Sequence, residues 1–246
     1  MIKKERYISS TDYELLKKLY PNNMEEIIEK INNDYPIQYL IGDVDFYGYT
    51  IRVDERALIP RFETEGLVDN LLKLIKNQVN YPTLKILEIG TGSGCIAVTL
   101  SKELNITVDA LDISKEAIEL ASSNAILNRA SVNFALGDIK NCSISKKYNV
   151  LVSNPPYVKY DEPVDPATKY EPQNALYGHN NGLEFYEIIL RRSKEFLEPK
   201  SIIAFEIGCT QGQDITNIAR NLYPNAYIQV KKDLAGKDRY IFIINE

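Results

Sequence analysis

A short motif, "NPPY", places a carboxamide and a phenol ring directly after the apolar run "YNVLVS". Its residues are Asn154, Pro155, Pro156 and Tyr157. Proline has no backbone N–H to donate to a sheet, so a strand predicted over the apolar run must end at the motif. The motif is either an ordinary proline turn or the mouth of an active site.

A second candidate site is the glycine-rich loop "EIGTGSG", which joins a predicted strand to a predicted helix. Its glycines allow a tight turn and a close approach of the backbone to a ligand. The pyrophosphate fingerprint G-x-G-x-x-G does not fit, because Cys95 stands where the third glycine is required. The compact G-x-G-x-G pattern after an acidic residue favours S-adenosylmethionine, which has no phosphate. The alternative is a tight turn without a ligand. The predicted cofactor-binding residues are Gly90, Thr91, Gly92, Ser93 and Gly94.

Two aspartates follow the next two predicted strands and extend this predicted cofactor site. Asp112 ends the strand "ITVDALDI", where a carboxylate can accept both ribose hydroxyls, or can serve only as a charge at a helix N-terminus. Asp138 can accept a hydrogen bond from an adenine amino group, or be a plain turn residue. Ile139 is predicted to pack on the adenine ring and to offer its backbone N–H.

The elements that must position these residues alternate along the chain from Thr83 onward, as apolar strands and helices in turn. This alternation predicts an α/β fold with a doubly wound, mostly parallel seven-stranded sheet of the Rossmann-like type, ending in an antiparallel hairpin. Ligands bind outside the carboxyl ends of such strands, where both aspartates, the glycine loop and "NPPY" are predicted to lie. We predict a reduced helical segment over 1–35, a linker with a β-hairpin over 36–58, and a catalytic domain over 59–246.

Composition limits the classes of function. The 246 residues suit one large domain or one domain with a small appendage, and the net charge of −5 argues against broad contacts with phosphates. Cys95, Cys142 and Cys209 are far apart and His179 is the single histidine, so neither a disulfide framework nor a metal site is predicted. The absence of an apolar signal core or a membrane-spanning run predicts a cytoplasmic protein.

Four further stretches, taken together with "NPPY", reduce the number of functions that fit the sequence. They are "PIQYLIGDVDFYGYTIRVDERALIPRFETE" (36–65), "EPQNALYGHNNGLEFY" (171–186), "EIGCTQG" (206–212) and "KDLAGKDR" (232–239). This combination resembles the glutamine methyltransferases of peptide chain release factors, over nearly everything from Pro36 to the end. The resemblance implies the class I S-adenosylmethionine-dependent methyltransferase fold. It also implies that the substrate is the glutamine of the Gly-Gly-Gln loop in bacterial-type release factors, which becomes N5-methylglutamine.

The resemblance also implies roles for the motif. The oxygen of Asn154 and the backbone carbonyl of Pro155 would accept the two N–H groups of the substrate amide, and so aim its nitrogen at the methyl group. Pro156 holds the Pro155 carbonyl in an extended conformation. Tyr157 is expected to pack on the flat amide, Asn154 also to contact the cofactor, and residues 60–65 to lie over the methionine end of the cofactor.

Alternatives to this function remain open from the sequence. The family usually carries a longer N-terminal helical domain than residues 1–35 provide, so docking of the release factor is expected to be weaker or rebuilt. One alternative substrate is a glutamine of a ribosomal protein. Another is an exocyclic amino group of a nucleic acid base, although no base-recognition module is evident. A third alternative is a non-catalytic S-adenosylmethionine-binding module. The expected partner is a release factor, with no nucleic acid and no membrane required.

Overall fold

The N-terminal part of the protein forms three short helices. The computed structural model describes residues 7–78 and 83–245. The hydroxyl of Ser9 caps the first helix by accepting a hydrogen bond from the Asp12 N–H at 3.0 Å. The apolar faces of the three helices enclose a small core of Leu16, Ile27, Ile31 and Leu40. The helices are α1 (Ser10–Leu19), α2 (Met24–Asn32) and α3 (Ile37–Ile41). The first two lie in the segment predicted to be helical, and α3 lies in the segment predicted as a linker.

A β-hairpin follows, formed by β1 (Asp43–Phe46) and β2 (Tyr49–Arg52). Tyr47 and Gly48 both have positive φ, of 55° and 79°, as a two-residue turn of type I′ requires. The predicted hairpin is therefore confirmed. The domain boundaries at 35/36 and 58/59 stay predictions, and residues 1–6, 79–82 and 246 of those segments lie outside the described residues.

The rest of the chain builds a seven-stranded sheet in the order β5-β4-β3-β6-β7-β9-β8. Neighbouring strands from β5 to β7 run parallel, and β9 pairs antiparallel with both β7 and β8. The predicted mostly parallel sheet and the terminal hairpin are therefore confirmed. The strands are β3 (Ile86–Ile89), β4 (Val108–Asp112), β5 (Val132–Leu136), β6 (Tyr148–Ser153), β7 (Leu197–Glu206), β8 (Tyr227–Lys232) and β9 (Asp238–Asn245).

Helices cover both faces of the sheet, as expected for a doubly wound fold. All four residues of β3 are buried, and its alternate residues belong to different cores: Ile86 packs on one face and Leu87 on the other. Helices α4, α5 and α6 cover the first face, and α8 and α9 cover the second. The helices are α4 (Phe62–Gln78), α5 (Cys95–Leu104), α6 (Lys115–Asn128), α7 (His179–Gly182), α8 (Glu184–Phe196) and α9 (Gly212–Leu222). Across the described ranges, no helix is both long and apolar enough to cross a membrane.

One buried side chain ties the hairpin to the sheet. Asn124, on α6, accepts a hydrogen bond from the Arg52 N–H at 2.8 Å and donates to the carbonyls of Arg52 and Ser93 at 3.0 and 2.8 Å. Its carboxamide therefore joins β2 to the glycine-rich loop. Neither contact is local in the sequence.

We predict that Asn124→Leu lowers the free energy of unfolding by about 2 kcal/mol or more, because three backbone groups lose their partner. Asn128→Ala is the matched control, since Asn128 lies one turn later and donates from an exposed position to the Thr50 carbonyl. The control should lose less than about 1 kcal/mol. Urea denaturation of both variants measures the difference, and equal losses would contradict the role of Asn124.

Candidate active site

The candidate site is a cavity of about 380 Å³ at the carboxyl edge of the sheet. This volume lies within the range of about 300–1,000 Å³ that is typical of small-molecule sites. The chain reverses its direction of winding between β3 and β6, and the crevice at such a switch point is where α/β sheets bind ligands. All the predicted site residues line the cavity except Gly94 and Tyr157.

The backbone N–H groups of the glycine-rich loop hold it in place at the cavity through hydrogen bonds to the neighbouring strand. The N–H groups of Gly90 and Thr91 donate to the Leu111 carbonyl at 2.8 and 3.2 Å, and the Gly92 N–H donates to Asp112 Oδ2 at 2.8 Å. Gly90 has a φ of +74°, and a Cβ there would meet no protein atom within 4 Å. The loop therefore leaves open space beside its backbone for a ligand.

Gly94 has a different task from the other loop glycines. Its φ is +82°, and a Cβ there would lie 3.0 Å from the Ala121 Cβ on α6. This glycine therefore lets α5 begin close to α6. The sequence pattern did not separate this packing role from ligand contact.

Glu88 links the glycine-rich loop to α5 through two hydrogen bonds. Its buried carboxyl accepts hydrogen bonds from the Thr91 hydroxyl at 2.6 Å and from the Ala97 N–H at 3.1 Å. Burial raises the pKa of Glu88 to about 8, and the negative charge of Asp112 adds to this shift. The glycine-loop motif in the sequence includes this acidic residue but does not indicate its two hydrogen-bond partners.

The two predicted strand-end aspartates and Ile139 present polar groups to the cavity. Asp112 Oδ1 accepts from the Ser114 N–H at 2.9 Å, and each of its carboxylate oxygens keeps a lone pair for a further donor. Asp138 accepts from the Lys140 N–H at 2.9 Å. Within the described chain no hydrogen bond uses the Ile139 N–H, whereas Arg192 donates to its carbonyl at 2.8 Å. The cavity thus offers acceptors for a ribose, and a donor and an acceptor for an adenine. These polar groups fit S-adenosylmethionine.

The "NPPY" motif follows β6 directly, as predicted. Ser153 donates to the Ile89 carbonyl at 2.6 Å, which fixes the end of β6 against the end of β3. Asn154 Nδ2 donates to the Thr64 hydroxyl at 3.2 Å. No hydrogen bond within the described residues uses Asn154 Oδ1 or the Pro155 carbonyl, and both residues line the cavity. The cavity wall therefore carries two free acceptors.

Tyr157 does not line the cavity. Its hydroxyl donates to Glu206 Oε1 at 3.1 Å, and burial raises its pKa above the ordinary tyrosine value. Its carbonyl accepts from Gln211 Nε2 at 3.1 Å, and a Cβ on Gly182 would lie only 2.0 Å from the same carbonyl oxygen. Tyr157 thus anchors the motif to the protein, and its packing on a substrate amide stays a prediction.

Of residues 60–65, at the start of α4, Pro60, Arg61 and Thr64 line the cavity. Arg61 pairs with the buried Glu171 at 2.5 Å, and the second carboxylate oxygen of Glu171 accepts from the Ile59 N–H at 3.0 Å. Phe62, the next residue after Arg61, is 67% exposed. No sequence pattern indicates this pair, although Arg61 and Glu171 lie in two of the stretches that carry the family resemblance.

Metal chemistry was not predicted for the protein. In the ranges 7–78 and 83–245, no group of three or more His, Cys, Asp or Glu side chains could hold a metal ion.

We predict that the free energy of unfolding falls as the pH rises from about 4.5 to about 8, because native Glu88 holds its proton there and the unfolded chain does not. The contribution of Glu88 is complete below pH 4.5 and lost above pH 8, with a slope of at most about 1.4 kcal/mol per pH unit. Glu88→Gln removes this contribution. Urea denaturation at several pH values should show a flatter profile for the variant, and parallel profiles would contradict the shift.

Comparison with known proteins agrees with this geometry. Residues 65–169 match the methyltransferase small domain family. A release factor glutamine methyltransferase of Bacillus cereus is 40% identical over 223 residues, which are 88% of this chain and 79% of that protein. One from Lactococcus lactis is 38% identical over 224 residues, which are 89% of this chain and 81% of that protein. A methyltransferase structure from Pyrococcus furiosus covers 92% of this chain and 98% of its own, with a TM-score of 0.58 and 18% identity, and confirms the fold. By its identity to the curated relatives and its coverage of them, the chain belongs to the release factor glutamine methyltransferase family.

Proposed function

We propose that the protein transfers a methyl group from S-adenosylmethionine to the side-chain amide nitrogen of the glutamine in the Gly-Gly-Gln loop of a release factor. The N–C bond forms as the bond between the methyl group and the sulfur breaks, so the products are N5-methylglutamine, S-adenosylhomocysteine and a proton that passes to solvent. The observation that carries the proposal is the pair of free acceptors on the cavity wall, Asn154 Oδ1 and the Pro155 carbonyl. A primary amide has two N–H donors on one nitrogen, so two acceptors can fix its direction.

The chemistry of an amide explains why acceptors are needed. Its nitrogen is a poor nucleophile, because the lone pair is delocalised into the carbonyl group. S-adenosylmethionine supplies a methyl group that is already strongly electrophilic, since it is bonded to a positively charged sulfur. The protein therefore contributes orientation and preorganised dipoles rather than a strong base. Asn154 and Pro155 supply both without adding a negative charge.

The remaining predicted residues would hold the cofactor. The open backbone at Gly90–Ser93 suits a close approach, and the lone pairs of Asp112 suit ribose hydroxyls. Asp138 and the free N–H of Ile139 offer an acceptor and a donor to an adenine. Gly94 supports the loop through its packing on α6. Pro156 and Tyr157 would keep the catalytic backbone extended and anchored.

The substrate is a protein in this proposal, and no nucleic acid is required. Release factors act on ribosomes, so the reaction is placed in the cytoplasm. Residues 1–35 and 36–58 remain proposed as a helical segment and a hairpin linker ahead of the catalytic domain. Because Phe62 is exposed and directly follows Arg61, which lines the cavity, we propose that the substrate loop docks on this side.

The experiment that tests the function is mass spectrometry. We would incubate the protein with S-adenosylmethionine and a release factor produced without its methyl group, and then analyse the Gly-Gly-Gln peptide. One added methyl group on the glutamine is the expected result. An unmodified release factor, together with a methylated ribosomal protein or nucleic acid in a parallel sample, would overturn the substrate assignment.

We predict that Asn154→Ala lowers kcat by about 10²–10³, by analogy with the removal of one preorganised hydrogen-bonding group. The Kd for S-adenosylmethionine should change little, because the glycine loop and Asp112 remain. Steady-state kinetics and calorimetric titration separate the two effects. Near-normal turnover in the variant would remove Asn154 from its assigned role.

A further inference from the structure

We propose that Thr64 and Glu206 are positioning residues that set which end of the Asn154 carboxamide faces the cavity. The inference rests on the proposed function, since it concerns the acceptor that Asn154 presents to the substrate. The two residues come from the first turns of α4 and the end of β7. Nothing in the local sequence links them to the "NPPY" motif.

Two hydrogen bonds link Asn154 to Thr64 and Thr64 to Glu206, and both are donated in the same direction, towards Glu206. Asn154 Nδ2 lies 3.2 Å from Thr64 Oγ1, and Thr64 Oγ1 lies 2.7 Å from Glu206 Oε2. Thr64 and Glu206 are only 3% and 1% exposed, so bulk water does not compete for these groups. A threonine hydroxyl has one hydrogen to donate. Since Thr64 gives that hydrogen to Glu206, it can only accept from Asn154.

The direction of this chain decides the orientation of Asn154. The two ends of a carboxamide are nearly equal in shape, and hydrogen bonding alone distinguishes them. An accepting Thr64 attracts the NH₂ end of Asn154, and the oxygen is left for the cavity. With the opposite orientation, Asn154 would present donors to the substrate N–H groups and would repel them.

Glu206 is suited to this task because an ionised carboxylate only accepts hydrogen bonds. The hydrogen bonds from Thr64 and Tyr157 and the positive charge of Arg239 favour this ionised form against the effect of burial on the pKa of Glu206. Its other oxygen accepts from the Tyr157 hydroxyl at 3.1 Å, and that hydroxyl has Arg239 Nη1 at 3.5 Å on its far side. The Arg239 guanidinium is held in turn by Asp233 at 3.2 Å. A glutamine at position 206 could turn its NH₂ end towards Thr64. The Thr64 hydrogen would then be free to point at Asn154, and the orientation would no longer be fixed.

The first test compares Thr64→Val, which keeps the shape but loses the hydroxyl, with Thr64→Ser, which keeps the hydroxyl. On an unmodified release factor, Thr64→Val and Glu206→Gln should lower kcat about 10-fold or more, because a catalytic group is misplaced. The KM for the release factor and the Kd for S-adenosylmethionine should stay close to the wild-type values. Thr64→Ser should retain most of the wild-type kcat, because it keeps the hydroxyl. Thr216→Val is the matched control, since Thr216 is a buried threonine on α9 that donates to the Gly212 carbonyl away from the site.

A double-mutant cycle separates positioning from general damage. If Thr64 acts through Asn154, adding Thr64→Val to Asn154→Ala should lower kcat no further. If the two losses multiply, or if Thr64→Val turns over like the wild type, the positioning role is wrong. A normal kcat for Asn154→Ala alone would instead overturn the proposed function. The cycle therefore distinguishes the two failures.

A second readout needs no substrate. In protein labelled with ¹⁵N-asparagine, the Asn154 side-chain NH₂ signal is the one that Asn154→Ala removes. Its hydrogens should exchange slowly with solvent in the wild type and in Thr64→Ser, and faster in Thr64→Val and Glu206→Gln. Equal exchange in the wild type and Thr64→Val would overturn the proposal, whichever substrate the enzyme uses.

Discussion

The buried carboxylate of Glu206 is the constraint around which the site is organised. A carboxylate with 1% exposure is costly unless donors surround it, and burial raises its pKa. The donors come from separate parts of the chain, namely Thr64 at the start of α4 and Tyr157 after β6. Arg239, at the start of β9, adds a positive charge behind Tyr157. Satisfying this one group therefore brings three segments together beside the cavity.

A second buried carboxyl, that of Glu88, likewise joins separate segments at the glycine-rich loop. It joins the glycine-rich loop to the first turn of α5, while Asp112 holds the same loop from the neighbouring strand. The loop is thus fixed by these side chains together with the backbone hydrogen bonds of Gly90 and Thr91 to the Leu111 carbonyl. One carboxyl supports the wall that suits the cofactor, and Glu206 supports the wall that carries Asn154. The free acceptors lie on the second of these walls.

The stretches that carry the family resemblance meet around the "NPPY" motif. Arg61 pairs with Glu171, which joins the first stretch to the second. Gln211, in the third stretch, donates to the carbonyls of Tyr157 and Asn181. Arg239, in the fourth stretch, lies 3.5 Å from the Tyr157 hydroxyl. Side chains in each stretch therefore contact the residues after β6 or line the cavity beside them. These contacts give a physical reason for residues that the chemistry of methyl transfer alone does not require.

The sequence by itself determined the order of strands and helices, the glycine-rich loop, and the place of Asp112, Asp138 and Asn154 at strand ends. These features depend on local periodicity and on turn residues, which can be read within a few positions of the chain. The carboxyl ends of parallel strands share one edge, so the cavity could also be expected.

Only the tertiary structure decided which side chains complete the site. Thr64 and Glu206 are 142 residues apart, and Arg61 and Glu171 are 110 apart, so no periodic pattern links them. The insertion of β9 between β7 and β8 places Arg239 near Tyr157, and hairpin pairing alone does not specify that insertion. The direction of the Tyr157 side chain depends on the same neighbours. Such contacts are set by which elements lie side by side in the sheet, and that arrangement is a property of the whole fold.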